Sequence, residues 1–393
     1  MPTIKELDAL NGEMTQWRRA LHQKPEIAFE EEWTSDFIAE KLESFGIEIH
    51  RGLAKTGIVG VIRGKDPGKR AIGLRADMDA LEIEEANTFT HRSQHPGKMH
   101  ACGHDGHSAM LLGAAKHLAE NPDFAGTVYL IFQPAEENEG GARVMIEEGL
   151  FDQFPMEAVY GMHNAPGYAV GQLDLRDGPM LANFDIFDIE IQGSGAHGAE
   201  PHLGVDPIIV QANLVNALQT ICSRNVDPLE SAVLSVTQVH GGDTYNVIPD
   251  KVMVRGTVRT FKPQIQDLVE EGIKRVSEHT GQAFGATISV NYERRYPALV
   301  NHTEHVKLCS QAAVHVFGEG NVVTDTPMDM GGEDFAFMLQ EKPGCYVYIG
   351  NGVDGKGGCM VHNPHYDFND DILSLGASYW VTLVDTVLSH QPN

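Results

Sequence analysis

The sequence predicts an α/β protein built on a parallel sheet and interrupted by an inserted α+β domain. Three observations predict it. Short apolar runs that read as buried strands alternate with helical patterns over the first half of the chain. Near residue 183 the pattern changes to longer, alternating strands in the order β-α-β-β-α-β, the split-βαβ order of ferredoxin-like domains. After residue 296 the α/β pattern returns. The chain has 393 residues, more than one hydrophobic core usually holds. Two domains are therefore expected, one from 1–183 with 297–393 and one inserted over 184–296.

Each element has its own justification. Leu7, Leu10, Met14, Trp17 and Leu21 recur at helical spacing and predict a helix over 3–23. A second helix is expected over 34–45. The runs IVGVI (58–62) and AIGLRA (71–76) read as strands. A helix follows over 108–119, with Met110, Leu111, Ala114 and Leu118 as its apolar side. TVYLIF (127–132) is a continuous apolar run, as in a buried parallel strand. Residues 141–149 read as helix and AVYG (158–161) as strand. In the insert, strands are expected at 184–192, 232–240, 251–261 and 287–293, with helices at 207–222 and 264–280. Beyond it come a helix over 303–317, a strand CYVYIG (345–350) and a helix over 371–388.

Composition narrows the function. The formal net charge of −26 repels phosphate backbones and argues against a nucleic-acid partner. Cys102, Cys222, Cys309, Cys345 and Cys359 are odd in number and widely spaced, so a reducing compartment is expected rather than a disulfide framework. The N-terminus lacks a basic region followed by an apolar one, and no apolar run reaches spanning length. A cytoplasmic protein without membrane contact is expected.

The chemistry concentrates in HACGHDGH (100–107). Cys102 and His104 stand two apart, and in extended backbone that spacing turns both side chains to one face. Thiolate with imidazole is a transition-metal pattern. Further candidates fall at strand ends. Asp77 and Asp79 follow AIGLRA, Glu136 and Glu137 follow TVYLIF, His163 follows AVYG, and His362 or His365 follows CYVYIG. Ligands of open α/β sheets collect at the carboxyl ends of parallel strands, so these segments converge on one edge. His100 and His107 are candidates for orienting the ligands. There is no GxSxG elbow and no Walker loop. Gly331-Gly332-Glu333-Asp334 lacks a phosphate-loop lysine and is expected to open a helix. A cysteine nucleophile at Cys102 needs only one base and one orienting group, which leaves the other histidines and acids unused.

Nine segments resemble, in order, the amidohydrolase branch of the aminoacylase and carboxypeptidase zinc-peptidase family, with hippurate hydrolases, auxin-conjugate hydrolases and N-acetyldiaminopimelate deacetylase nearest. They are WRRALHQKPEIAFEE (17–31), LRADMDALEIEE (74–85), MHACGHDGHSAMLLGAA (99–115), FQPAEENEGGA (132–142), GMHNAPGYAVG (161–171), GSGAHGAEPHLGVDPI (193–208), NVIPD (246–250), GGEDFAFM (331–338) and VHNPHYDFND (361–370). The resemblance implies a dinuclear metallopeptidase-like catalytic domain and an inserted lid and dimerisation domain. It implies Cys102, His104, Glu137, His163 and His362 as ligands of two divalent ions, zinc or manganese first, with cobalt or nickel accepted. It implies Glu136 as general base, His197 as a histidine reaching the scissile bond, Asn246 as a substrate contact and Arg259 as the carboxylate-binding arginine. In several relatives that histidine arrives from the partner chain. Two departures stand out: Asp77-Met78-Asp79 replaces the His-x-Asp of distant relatives, and Glu82 replaces a proline of close ones. The activity so implied is metal-dependent hydrolysis of N-acyl-L-amino acids by a homodimer; a dipeptidase or carboxypeptidase on the same scaffold is the alternative.

Overall fold

The computed structural model describes residues 3–137 and 139–389. Met1, Pro2 and Asn138 of the FQPAEENEGGA segment lie outside them. The chain divides into two compact units. The first comprises residues 1–180, 300–327 and 334–393, the second residues 181–299 and 328–333.

The first unit opens with helices α1 (Lys5–Gln23) and α2 (Glu32–Ser44) and strands β1 (Glu48–Leu53), β2 (Gly57–Arg63) and β3 (Asp66–Asp77). Helix α3 (His104–Glu120), β4 (Ala125–Gln133), α4 (Gly141–Glu147), β5 (Ala158–Pro166) and β6 (Leu173–Asp174) follow. The second unit supplies β7 (Phe184–Gln192), α5 (Pro207–Thr220), β8 (Ala232–His240), β9 (Lys251–Thr260), α6 (Pro263–Phe284) and β10 (Thr287–Tyr296). The chain then returns with α7 (Thr303–Phe317), β11 (Val322–Val323), α8 (Phe335–Glu341), β12 (Gly344–Gly352) and α9 (Leu373–Val387).

The large sheet has the order β1-β2-β4-β3-β5-β12-β6-β11. It is mixed rather than wholly parallel. β4, β3, β5 and β12 run parallel, whereas β1, β2 and β6 join antiparallel. A short connection between β1 and β2 turns the chain straight back, and a tight return can only build an antiparallel pair. The parallel centre has helical crossovers, as such strands require. Its register aligns Asp77 with Gln133, and Arg75 with Gly161.

Helix α3 is buried on every side from His104 to Ala115, not along one stripe. It lies between α1 and α9. Gly113 permits the approach to α1, because a Cβ there would collide with Met14 Sδ. The core around it joins Met14, Trp17, Met110, Leu111, Leu130, Val347, Trp380 and Leu383. Burying such side chains fully contributes about 1.5–3 kcal/mol each.

In the second unit an antiparallel sheet of order β8-β9-β7-β10 carries α5 and α6. This is the ferredoxin-like arrangement. Strict alternation along β7 turns Phe187, Ile189 and Ile191 inward onto Val210, Leu214, Val269 and Ile273. Pro263 at the first turn fixes the start of α6, and Gly285 in the left-handed region (φ 74) ends it. The helix expected over 207–222 stops at Thr220 and continues as a π-turn, Ile221–Asn225. Among the described residues no helix is long and apolar enough to cross a membrane.

Candidate metal centre

The octet does not adopt the extended backbone that its spacing suggested. Gly103 sits in the left-handed region (φ 107), and His104 is already the first residue of α3. Only glycine suits this bend, and a Cβ at Gly103 would also strike Asn164 Oδ1. The turn nevertheless converges Cys102 and His104. One ligand atom each from Cys102, His104 and His163 falls within 4.8 Å of the others. Cys102, Glu137 and His362 form a second such group, and His104, Glu136 and Glu137 a third. Cys102 belongs to two of the three.

Each side chain has a support. His104 Nδ1 donates to Asp79 Oδ1 (3.2 Å), which leaves Nε2 buried without a hydrogen-bond partner. His163 stands inside β5, not after it, and its Nδ1 donates to Asn164 O (2.6 Å). Its Nε2 is thereby turned to Cys102 Sγ at 3.3 Å. Asp79 Oδ2 accepts the Glu137 N–H (2.9 Å), so one carboxylate orients two candidate ligands. His362 has φ 61, rare for a non-glycine residue, and its N–H donates to Ala101 O (2.7 Å). That anchored bend brings His362 Nε2 within 3.0 Å of Glu137 Oε1. His365 joins no such group, which separates the two histidines that spacing left equal.

The electrostatics suit a cation. Burial pushes the Cys102 thiol well up, and Glu137 and Glu136 push it further. A thiol among carboxylates ionises only against added positive charge, and un-ionised it is a weak nucleophile. Burial alone would lower His104, but Asp77 and Asp79 override it and raise the imidazole to about 10. Burial would likewise raise Asp77, yet His104, Arg75 and His107 hold it well below the usual carboxylate range. His104 Nε2, buried without a hydrogen-bond partner, together with a sulfur, the Glu137 carboxylate and further imidazoles within reach, makes a mixed S/N/O donor set. Such a set fits a borderline divalent ion.

The outer groups sort differently from the sequence reading. His107 Nδ1 donates to Asp77 Oδ1 (2.6 Å), and Asp77 Oδ2 accepts from Arg75 (2.6 Å). Asp105 accepts from His22 Nδ1 (2.8 Å). His100 is buried, and among the described residues neither ring nitrogen has a hydrogen-bond partner. Burial lowers its pKa to about 4. Glu82 is exposed.

Sequence reasoning missed several buried groups. Asp334 does open a helix, α8, but it also accepts from Gln133 Nε2 (2.9 Å) and the Ala142 N–H (2.9 Å). Arg75 binds Gln133, Asp77 and Asp334 together. Asn164 donates to Tyr366 Oη (2.7 Å). The available signal was a lone arginine or asparagine inside an apolar strand, where charged and polar groups need partners.

His197, Asn246 and Arg259 belong to the second unit. Ala196–His197 pairs with Val247–Ile248, and the Gly198 N–H donates to Asn246 O (2.8 Å), so His197 and Asn246 are neighbours. His197 Nδ1 accepts the Ala199 N–H (3.0 Å), which leaves the ring proton on Nε2. Arg259 lies over the Phe184 ring (4.2 Å to the centroid), and burial lowers its pKa against the pull of Asp185.

Residues 73–386 match the model of peptidase family M20/M25/M40. The chain belongs to this family. It is 40% identical to a hippurate hydrolase of Campylobacter jejuni, over 98% of each chain. It is 43% identical to an N-acetyl-L-cysteine deacetylase of Bacillus subtilis, over 96% of this chain and 90% of the other. Among solved structures it resembles a dinuclear metal-binding peptidase of the M20 family from Bacillus subtilis, with a TM-score of 0.84 and 33% identity over 97% and 99% of the two chains. This M20 member is an amidohydrolase, an enzyme that cleaves amide bonds of small molecules.

Proposed function

We propose that the protein hydrolyses N-acyl-L-amino acids, hippurate-like, N-acetyl or similar, to a carboxylate and a free amino acid. Cys102, His104, Glu137, His163 and His362 would hold two divalent ions, zinc or manganese first, with cobalt or nickel accepted. Bound there, such ions supply Lewis acidity, lowering the pKa of a water to about 7 and polarising the acyl carbonyl. The observation that carries the reading is Glu136: a buried carboxylate within 4.8 Å of His104 and Glu137 that none of the candidate ligand sets with Cys102 needs. Glu136 takes the proton of the attacking water and returns it to the leaving amine. His197, with its proton on Nε2, donates to the developing oxyanion. Asn246 binds the substrate beside it. Arg259, held over the Phe184 ring, receives the free carboxylate with both arms of its fork.

On this reading residues 1–183 and 297–393 form the catalytic domain and 184–296 a lid and dimerisation domain, whose approach gates turnover. The edge strand β8 with Val239 and the nearby Val247, both about half exposed, supports a homodimer through that domain. Likeness to the Bacillus subtilis peptidase supports a second reading as dipeptidase or carboxypeptidase. One panel separates them: hippurate, N-acetyl amino acids and an unblocked dipeptide, assayed with the metal-loaded enzyme before and after chelation. The proposal expects the N-acyl substrates to be cleaved and the activity to return with added metal. Cleavage of the dipeptide alone replaces it with the second reading.

A further inference from the structure

The turn that carries Glu136 is held on both sides by buried carboxylates from distant segments. Ala135, immediately before Glu136, is buried and left-handed (φ 56). Such backbone costs about 1–3 kcal/mol and persists only where its surroundings over-determine it. The Ala135 N–H donates to Glu31 Oε1 (2.9 Å). The other oxygen of Glu31 accepts the Thr56 hydroxyl (2.8 Å). On the far side of Glu136, the Glu137 N–H donates to Asp79 Oδ2 (2.9 Å). Ala135 O accepts the Gly141 N–H (2.9 Å) and closes the turn. Glu31 is fully buried and belongs to none of the candidate ligand groups among the described residues. A buried acid is costly compared with a neutral acceptor of the same shape, so its place here calls for a role.

We propose that Glu31 is the positioning residue of Glu136: by fixing Ala135 in its left-handed bend, it sets the direction in which the Glu136 carboxylate points. The proposal rests on Glu136 being the general base. A misplacement of about 1 Å in such a group costs on the order of 10²-fold in rate.

The test uses metal-loaded Glu31→Met and Glu31→Gln, each alone and combined with Glu136→Gln, on an N-acyl amino acid. Glu31→Met lowers kcat by roughly 10- to 10²-fold with KM and metal content unchanged. Glu31→Gln recovers most of that loss, since its carbonyl still accepts the Ala135 N–H and its amide can donate to Thr56. In the Glu136→Gln background, Glu31→Met causes no further loss. Amide exchange at Ala135 is slow in the wild type and in Glu31→Gln, and accelerates in Glu31→Met. If Glu31→Met does not fold, Glu31→Asp, one methylene shorter, carries the same comparisons. Unchanged kcat in these variants, or an equal proportional loss in the Glu136→Gln background, overturns the proposal. Full activity of Glu136→Gln alone would instead remove the base on which it rests.

Discussion

Cys102 and Glu136 sit in the same cluster but are asked for different chemistry, and two alanine substitutions separate them. Glu136→Ala is expected to keep its metal and to lose about 10²–10⁴-fold in turnover, the usual contribution of a positioned acid–base group. Cys102→Ala is expected to lose metal, because its sulfur belongs to two of the candidate ligand groups. Elemental analysis beside an activity assay reads both; wild-type stoichiometry in Cys102→Ala would refute the ligand role. These residues were legible in the sequence because their side chains have few other uses in such company. Glu31 stood inside a recognised segment and drew no role. Its importance comes from an N–H 104 positions away, which no local pattern encodes. Arg75 and Asp334 escaped for the same reason: they act through partners brought near only by the sheet and its crossovers.

At the level of elements, periodicity located the long helices and central strands, since their burial repeats along the chain. β7, β8 and α7 occupy the residues that the pattern named. The outer strands were not legible. β1 is largely exposed and lacks an apolar face, and β6 and β11 are two residues each, too short for any period. The start of α3 was placed four residues late because histidine, aspartate and glycine read as loop. Packing overrides that weak preference: α3 is buried from its first residue. The bend before it makes a sharp expectation. Gly103→Ala puts an L side chain at φ 107 against Asn164. It should cost at least about 1–3 kcal/mol and weaken metal binding, seen as a lower melting temperature and a lower metal stoichiometry. A variant with wild-type values for both would show that the bend has other support.

For the molecule as a whole, stability should carry a pH signature from beneath the octet. Burial alone would lower the His22 pKa, but its hydrogen bonds to Asp105 and Glu85 override this and raise it to about 9 from 6.5. A histidine raised in the folded state stabilises fully below its unfolded pKa and loses that contribution as pH climbs through the folded one. The window is therefore about pH 6.5 to 9, and the contribution about 3 kcal/mol at 1.36 kcal/mol per unit. Denaturant midpoints of the wild type and His22→Gln should differ most near pH 6 and converge by about pH 10. A gap that does not change with pH would contradict the charged imidazole.

The candidate ligands differ in their access to water. The His104 side chain is 1% exposed, whereas that of His362 is 51% exposed. If both groups that share Cys102 are filled, their occupants would not leave together. The one facing His362 meets a chelator first, and the one beside the buried His104 is reached later. Stopped-flow mixing with a chromogenic chelator should then show a fast and a slow phase of equal amplitude, with His362→Ala removing the fast one. A half-depleted enzyme would become a species that can be isolated, and each position could be reloaded with a different ion.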